Sequence, residues 1–256
     1  MGQARRTREA VRQGNDAIGA GNVVVGYCHP TEVSAFFHES MLAMVMHDIN
    51  HNQRIVNGGG RIERYSSANI TNSRNGIARS FLDDTPAEWL LMLDTDMQFE
   101  PDLADRLVEA AEAGRAPIVG GLCFGVDNGA LFPTLYQMVQ DETDEHPHMV
   151  RYNDFPDDEL FEVTATGAAC LLVHREVLVA MREKYPEPYP WFQEVVLGDG
   201  PMGEDVTFCV RARLIGYPVH VHTGIHVGHA KTQILTTSMY RAQREAINGP
   251  RNADAG

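Results

Sequence analysis

The fold is decided by the stretch WLLMLDTD, residues 89–96. Five apolar residues in succession, with no polar alternation, are typical of a strand that is covered on both faces of a sheet. Ligands of open α/β sheets collect at the carboxyl ends of such strands, and this end carries Asp94 and Asp96. Their carboxylates would lie on one side of an extended backbone and could share Mg²⁺ or Mn²⁺ with substrate phosphates. The stretch predicts a cation site, with an ordinary solvated turn as the alternative.

Strand and helix patterns alternate on either side of this stretch, which predicts an α/β fold with a mainly parallel sheet. Beyond about residue 125 the pattern becomes mixed, and we expect this second half to receive a substrate. The glycines at 58–60 fit a turn and no dinucleotide fingerprint. Strands are predicted at 23–27, 61–65, 89–93, 118–124, 131–140, 149–152, 161–166, 170–173, 219–222 and 225–229. Helices are predicted after a Ser34 cap, after a Ser66 or Ser67 cap, from Pro101 to Gly114, at 175–184 and at 204–215.

Length and composition describe a globular protein without an obvious break into two domains. The 256 residues carry a net charge of −14, which argues against a large nucleic-acid footprint. The four cysteines are widely spaced among apolar neighbours and are expected to be buried and reduced. No apolar run is long enough to cross a bilayer, and the start of the chain lacks a signal-peptide core. We therefore expect a cytoplasmic protein.

Glu204 and Asp205 open a predicted helix after a glycine-rich approach. Acids at this position complement the helix dipole, so a plain N-terminal cap is one interpretation. The other is catalytic, because an acid presented at a cleft can take a proton from an attacking hydroxyl. The residues alone leave both open.

Four histidines lie close together at 220, 222, 226 and 229. Only His229 follows a glycine at an apparent strand end, which makes it the candidate metal ligand among them. Nearby Lys231 could meet a phosphate.

A polar row that includes Asn72, Arg74 and Asn75 is unusual on a helix that must pack on a sheet. Arg74 and Asn75 could hold a diphosphate or a base edge, since a guanidinium fork matches phosphate geometry. A solvated face is the alternative.

Five motifs follow one another along the chain: Asn72-Ser73-Arg74-Asn75, Asp94-Thr95-Asp96, Gly167-Ala168-Ala169, Gly203-Glu204-Asp205 and His229. Their order and spacing resemble metal-dependent glycosyltransferases of the GT-A fold, close to the family 2 type. The amino-acid sequence is especially similar to those of glycosyltransferases of actinobacterial bacteriophages. This similarity implies a protein of the host cytoplasm. The resemblance implies a GT-A-like, Rossmann-type α/β/α sandwich over residues 22–232. Its donor half would be 22–125 and its acceptor half 126–232, between a basic extension at 1–21 and a C-terminal segment at 233–256.

The resemblance also implies a nucleotide-sugar donor, above all a UDP-sugar. Thr31 and Glu32 match the loop that meets the nucleotide, and Asp94 matches a contact to ribose or metal. Asp96 would coordinate Mn²⁺ or Mg²⁺ on the diphosphate, and His229 would complete the site.

Asp205 matches the acid of the family's Glu-Asp motif and would be the base of an inverting transfer. Some GT-A enzymes with a similar histidine retain configuration, so stereochemistry stays open. Two other classes compete with the transferase: a noncatalytic nucleotide-sugar or glycan-binding protein, and a metal-dependent nucleotidyl- or phosphotransferase.

The acceptor is left open between a modified base in viral DNA, a virion protein and a glycan. We expect the loop from Tyr189 to Gly203 to form the acceptor wall and to close over bound donor, because it leads into Asp205. Its aromatic residues could stack on a base, with ordinary loop packing as the alternative. A small basic patch could come from Arg175, Arg182 and Lys184, or from Arg241 and Arg244.

Overall fold

The apolar stretch at 89–94 is a buried strand inside a seven-stranded sheet in the computed structural model. The strands in chain order are β1 (Val23–His29), β2 (Arg61–Tyr65), β3 (Trp89–Asp94), β4 (Met97–Gln98), β5 (Ile118–Leu122), β6 (Phe124–Asp127), β7 (Ala130–Pro133), β8 (Leu135–Val139), β9 (His148–Arg151), β10 (Leu160–Val163), β11 (Ala165–Thr166), β12 (Cys170–His174), β13 (Val195–Leu197), β14 (Gly200–Met202), β15 (Val219–His226) and β16 (Gly228–His229). The helices are α1 (Ala35–Asn50), α2 (Arg54–Gly58), α3 (Ile70–Asp84), α4 (Leu103–Gly114), α5 (Arg175–Lys184), α6 (Glu204–Leu214) and α7 (Thr237–Asn248).

The structure describes residues 21–66, 69–127, 129–140, 148–197, 200–232 and 235–248. The basic extension up to residue 20, the candidate cap Ser67, the acidic stretch at 141–147 and the tail beyond 248 lie outside these ranges. Among the described residues no helix combines the length and apolar character needed to span a bilayer.

The central sheet has the strand order β10-β15-β5-β12-β3-β1-β2. β1 is parallel to β2 and β3, and β15 is parallel to β5. β12 is antiparallel to both β3 and β5, so β5 runs with β3, while β10 is antiparallel to β15. Five of the seven strands therefore share one direction, as the sequence predicts. β2 and β3 flank β1 on opposite sides, which places a switch point and its ligand crevice at the carboxyl end of β1.

Helices cover both faces of this sheet, which confirms the α/β/α sandwich. One core cluster joins the sheet to α3, α5 and α6, and a second joins its other face to α1, α2 and α4. The four cysteines are free and buried, as expected.

The helix starts agree with the sequence at α1 and differ at α3. The Ser34 hydroxyl accepts a hydrogen bond from the main-chain amide of Phe37 and caps α1. Asn69, and not Ser66, caps α3, because its side chain accepts from the amide of Asn72 at 3.0 Å. Ser66 instead donates its amide to the carbonyl of His29 and extends the pairing of β1 with β2.

Several predicted strands are divided in the structure. The segment predicted as one strand at 131–140 forms β7, which pairs with β6, and β8, which pairs with β9 and β11. The segment at 118–124 is likewise divided between β5 and β6. The predicted loop before α6 contains the hairpin β13–β14. A change of partner sheet between consecutive residues leaves no mark in the hydrophobic pattern, so the sequence could not show these breaks.

The turn predicted at 58–60 is present and packs closely on β1. Gly59 and Gly60 have positive φ angles after α2, and a Cβ atom on Gly58 would lie 2.2 Å from the carbonyl oxygen of Val23. Only glycine allows α2 to approach the strand this closely.

Replacing Gly58 with alanine should lower the free energy of unfolding by about 1–3 kcal/mol, because the backbone of β1 or α2 must move. Gly76→Ala is the matched control, since a Cβ there meets only the Arg64 side chain at 3.5 Å. That control should stabilise the protein by up to about 1 kcal/mol, because alanine is the better helix former. Urea unfolding measures both; equal effects would contradict the close approach.

Candidate functional site

The turn after β3 is joined to strand β16. The two-residue strands β4 and β16 pair antiparallel, with His229 opposite Met97. The amide of Ala230 donates to the main-chain carbonyl of Asp96 at 2.8 Å. As a result, the His229 Nε2 atom lies 3.0 Å from Asp96 Oδ2, although the residues are 133 positions apart.

His229 is held in one orientation by its other ring nitrogen. Its Nδ1 atom lies 2.9 Å from the main-chain carbonyl oxygen of Phe124. Because a carbonyl only accepts, Nδ1 must carry the hydrogen, and Nε2 is directed at the carboxylate of Asp96. Metal-ligating histidines commonly donate their second ring N–H to such a carbonyl, which fixes the tautomer for the coordinating nitrogen.

Asp96 is surrounded by positive charge at this point. Lys231 donates from Nζ to Asp96 Oδ2 at 2.8 Å. Burial alone would raise the pKa of the Asp96 carboxyl, but Lys231 and His229 together hold that pKa below its ordinary value. Among the described residues, no group of three or more His, Cys, Asp or Glu side chains gathers for a metal ion. The described residues thus present one carboxylate, Asp96, and one imidazole, His229, at this point.

Asp94 is turned away from this pair towards Arg74. The Arg74 side chain is only 4% exposed, and its Nη2 atom donates to Asp94 Oδ1 at 2.7 Å. Its Nη1 atom donates to Glu204 Oε1 across 130 residues of chain. Burial would lower the pKa of Arg74, but the carboxylates of Asp94, Glu204 and Asp205 hold it above its ordinary value. In this structure the guanidinium bridges two carboxylates, and the predicted contact of Arg74 to a diphosphate stays a prediction.

The two acids that open α6 have different surroundings. Burial, helped by the charge of Asp205, raises the pKa of Glu204 despite its pairing with Arg74. Asp205 accepts the amide of Val206 at Oδ1, at 2.8 Å. Its Oδ2 atom faces Gly167, where a Cβ atom would lie 3.6 Å away. Glu204 is thus an internal partner, whereas Asp205 keeps a carboxylate oxygen beside the Gly167 turn.

Asn75 is hydrogen-bonded inside the protein, and its predicted contact to the donor stays a prediction. It is 1% exposed, and its Nδ2 atom donates to the carbonyl of Phe192 at 2.7 Å. Its Oδ1 atom accepts the amides of Trp191 and Phe192, both at 3.3 Å. The alternative of a solvated helix face does not hold for Asn75, because its side chain is buried. Asn72, by contrast, is exposed in the first turn of α3.

Thr31 and Glu32 are exposed in the loop between β1 and α1. The amide of Ser34 donates to the carbonyl of Thr95 at 3.1 Å, so this loop is fastened to the turn that carries Asp96. The structure thus brings the predicted nucleotide loop next to the predicted cation turn.

Trp191 and Phe192 lie in the core, which favours the alternative of ordinary loop packing for these two aromatic side chains. Trp191 is fully buried and its Nε1 atom donates to the carbonyl of Leu178. Phe192 is 1% exposed and stacks on Phe208 at 4.8 Å between ring centroids. Arg211 donates to the carbonyl of Tyr189 at 2.7 Å and fixes the segment from its other side. Such anchoring disfavours closure of this segment over donor.

Two of the three residues of one predicted basic patch are paired within the protein, whereas Lys184 is exposed. Arg175 is directed at main-chain carbonyls at the end of α3, including those of Ala87 and Thr85. Arg182 pairs with Asp83 at 2.8 Å. Arg241 and Arg244 are exposed in α7 and stay a prediction.

Sequence reasoning did not foresee the bridge from Arg74 to Glu204 or the carbonyl of Phe124 behind His229. Neither has a local signal, because each joins residues more than 100 positions apart. The one indication of the Arg74 bridge in the sequence was a charged residue at an interior position of a helix.

No family model and no curated protein matches this sequence. Many solved structures match its fold, and two of them are described here. The structure described as A197 from STIV aligns with 82% of this chain and 86% of its own, at 16% identity and a TM-score of 0.51. GalNAc-T7, solved with UDP, GalNAc and Mn²⁺, aligns with 83% of this chain and 43% of its own, at 13% identity and a TM-score of 0.53. This chain spans less than half of GalNAc-T7, and what it shares with it is a GT-A-like glycosyltransferase fold.

Arg74→Met should lower the free energy of unfolding by about 3–5 kcal/mol, because two partly buried carboxylates lose their positively charged partner. Arg79→Met, on the same helix, is the control, since Arg79 pairs with the exposed Glu187. An exposed pair of this kind contributes about 1 kcal/mol or less. Urea unfolding of both variants gives the comparison, and equal losses would show that the bridge stabilises no more than an exposed ion pair does.

The deficit of Arg74→Met should also grow with pH. The folded-state pKa of Glu204 lies above its ordinary value, so ionisation of this carboxyl costs stability as pH rises through that pKa. Arg74 opposes this cost, and its loss should matter least at about pH 4, where Glu204 is mostly protonated, and most at about pH 8. A deficit that is constant over this range would mean that Glu204 is not the affected group.

Proposed function

We propose that this protein is a glycosyltransferase that moves a sugar from a nucleotide-sugar to a hydroxyl acceptor with the help of a divalent cation. The observation that carries the proposal is the contact between Asp96 and the oriented His229 at the carboxyl edge of a GT-A-like sheet. Three carboxylates, those of Asp94, Glu204 and Asp205, surround Arg74 and include the base that such a transfer needs.

The residues at Asp96 and His229 fit a divalent cation. A carboxylate oxygen and a neutral imidazole nitrogen are suitable ligands for Mn²⁺, and a site with few protein ligands leaves positions for phosphate oxygens and water. Mg²⁺ accepts the same arrangement with more retained water. The chemistry supplied by such a cation is neutralisation of the charge that develops on the departing diphosphate. GalNAc-T7 was solved with Mn²⁺ and UDP, which is consistent with this assignment.

The donor would lie along the crevice between β1 and β3. Lys231, which is half exposed beside Asp96, would contribute its ammonium group to a phosphate oxygen of the donor. Thr31 and Glu32 meet the nucleotide, with Asn72 at the margin. Asp94 keeps Arg74 at one oxygen and offers the other to a hydroxyl of the ribose or sugar. A UDP-sugar is the donor that we favour.

Asp205 would be the base, and Glu204 would position it. Asp205 has a carboxylate oxygen beside Gly167, where the absence of a side chain leaves room for an acceptor hydroxyl. Glu204 is directed at Arg74, which occupies one of its carboxylate oxygens, and so it is not turned towards an acceptor. The two acids would therefore have different roles. Asp205 would accept the proton of the attacking hydroxyl, and Glu204 would fix the start of α6 to the end of β3 through Arg74.

The acceptor would approach from the β13–β14 hairpin, where Val196 is exposed. The candidate acceptors are a modified base of DNA, a virion protein and a glycan, and each would bring its hydroxyl to this hairpin. The net charge of −14 favours the protein or the glycan over a long DNA duplex.

Removing either proposed ligand should weaken the binding of Mn²⁺ in the presence of UDP by at least about tenfold, because the diphosphate charge loses a compensating partner. The variants are Asp96→Ala and His229→Ala, and calorimetry measures the affinity. His226→Ala is the control, since His226 is exposed at the end of β15. Binding that survives in His229→Ala but fails in His226→Ala or His222→Ala would show that the ligand is misassigned.

Asp205→Asn should reduce sugar transfer and donor hydrolysis roughly 100- to 10,000-fold, the usual contribution of a general base, while Mn²⁺ and UDP still bind. Asp84→Asn is the control, because Asp84 is exposed at the far end of α3. Mass spectrometry of UDP-sugars with hydroxymethylated DNA, virion proteins and glycans identifies the product. A wild-type protein that binds donor without turnover would be a binding protein, and a product heavier by a phosphate or nucleotide would mark the other transferase class.

A further inference from the structure

Helix α1 carries apolar side chains on two opposite sides. Phe37 and Met44 are buried in the core, as a helix packed on a sheet requires. Leu42, Met46 and Ile49 lie on the other side, at a spacing of four and then three residues, and they are 58%, 51% and 47% exposed. Residues at this spacing form one stripe along a helix. The solvent side of a surface helix is usually polar, so this stripe is suited to a partner.

The stripe is nearly free of charge in a strongly acidic protein. The chain has a net charge of −14, whereas α1 contains neither Lys nor Arg and has only two acids, Glu39 and Asp48. Asp48 is buried, and its carboxylate accepts the amides of Ile55 and Val56, both at 3.0 Å. The surface of α1 therefore presents one carboxylate, that of Glu39. Few charges and exposed Met and Leu at the centre are the composition of a protein–protein interface core more than of open surface.

The exposed apolar area suits one side of a dimer interface. We define the α1 face as the stripe together with Phe36, in the first turn of α1, and Val56, on α2, which are also about half exposed. These five side chains expose roughly 400–500 Å² of apolar surface, as much as the largest patch on many monomers. A standard interface takes about 800 Å² from each partner, and about three fifths of it is apolar, which is about 480 Å². The α1 face alone supplies that apolar share.

We infer that the α1 face binds the same face of a second copy of this chain and forms a twofold-symmetric dimer. A twofold interface uses one self-complementary patch on both copies, and two apolar helix stripes can pack against each other in this way. Two chains that each carry a charge of −14 repel one another, and they can approach most closely where the surface is nearly uncharged. A charged partner would find only Glu39 to pair with on α1.

Sedimentation equilibrium of the full chain at micromolar concentration measures the mass directly, and the wild type should have twice the mass of one chain. Leu42→Glu and Met46→Glu should each raise the dissociation constant of the dimer at least about 100-fold, because like charges from both copies would enter the apolar contact. Both positions are exposed, so the fold should be retained, and circular dichroism checks this. Leu214→Glu is the matched control, since Leu214 is a 75% exposed residue of another helix, α6.

Salt gives a second and independent readout. Raising NaCl to about 0.5 M should tighten the dimer, because salt screens the repulsion between two acidic chains and the apolar contact has no ion pairs to lose. An association held by ion pairs would weaken instead, and that result would contradict the α1 face as its origin.

A wild type that sediments as a single chain would overturn the dimer. A dimer that persists in both Leu42→Glu and Met46→Glu, or that Leu214→Glu weakens equally, would overturn the assignment to α1. Monomeric protein that binds phosphatidylcholine vesicles, with binding lost in Met46→Glu, would assign the face to lipid instead. These measurements involve neither donor nor cation, so their failure leaves the transferase proposal standing.

Discussion

The interaction on which the site depends is the buried guanidinium of Arg74 between Asp94 and Glu204. A charge that is removed from water must be paired, and removing one partner leaves a strong penalty. Arg74 therefore fixes three elements relative to one another: α3, the carboxyl end of β3 and the start of α6. Asp205 follows Glu204 directly, so the same bridge sets the position of the candidate base.

The neighbouring residue on α3 extends this arrangement. Asn75 uses both atoms of its amide to hold the main chain at Trp191 and Phe192, so two consecutive side chains anchor the segment before α6 and its first turn. Rigid support of this kind suits a site whose acids must keep their positions while charge develops. The exposed parts near the site are the β13–β14 hairpin and the loop with Thr31 and Glu32, and these are where specificity would be set.

The sequence predicted the α/β/α sandwich and its mainly parallel sheet, because an unbroken apolar run and an alternation of strands with helices are local patterns. It also selected His229 from four histidines, and the structure does bring that residue to Asp96. It did not predict the contacts of Arg74 or Asn75, because their partners are distant in the chain. A polar side chain at an interior helical position does not indicate which group it contacts. For Trp191 the sequence left ordinary loop packing and a ligand contact both open, because the composition of an aromatic loop is the same in either case; the structure buries this side chain.

The most direct measurement of the central claim is anomalous scattering at the manganese edge from crystals grown with Mn²⁺ and UDP. The account predicts one strong peak within coordination distance of Asp96 and His229, with the diphosphate of UDP on its other side and Arg74 still between Asp94 and Glu204. A peak beside Glu204 and Asp205, or UDP bound away from the carboxyl ends of β1 and β3, would contradict it.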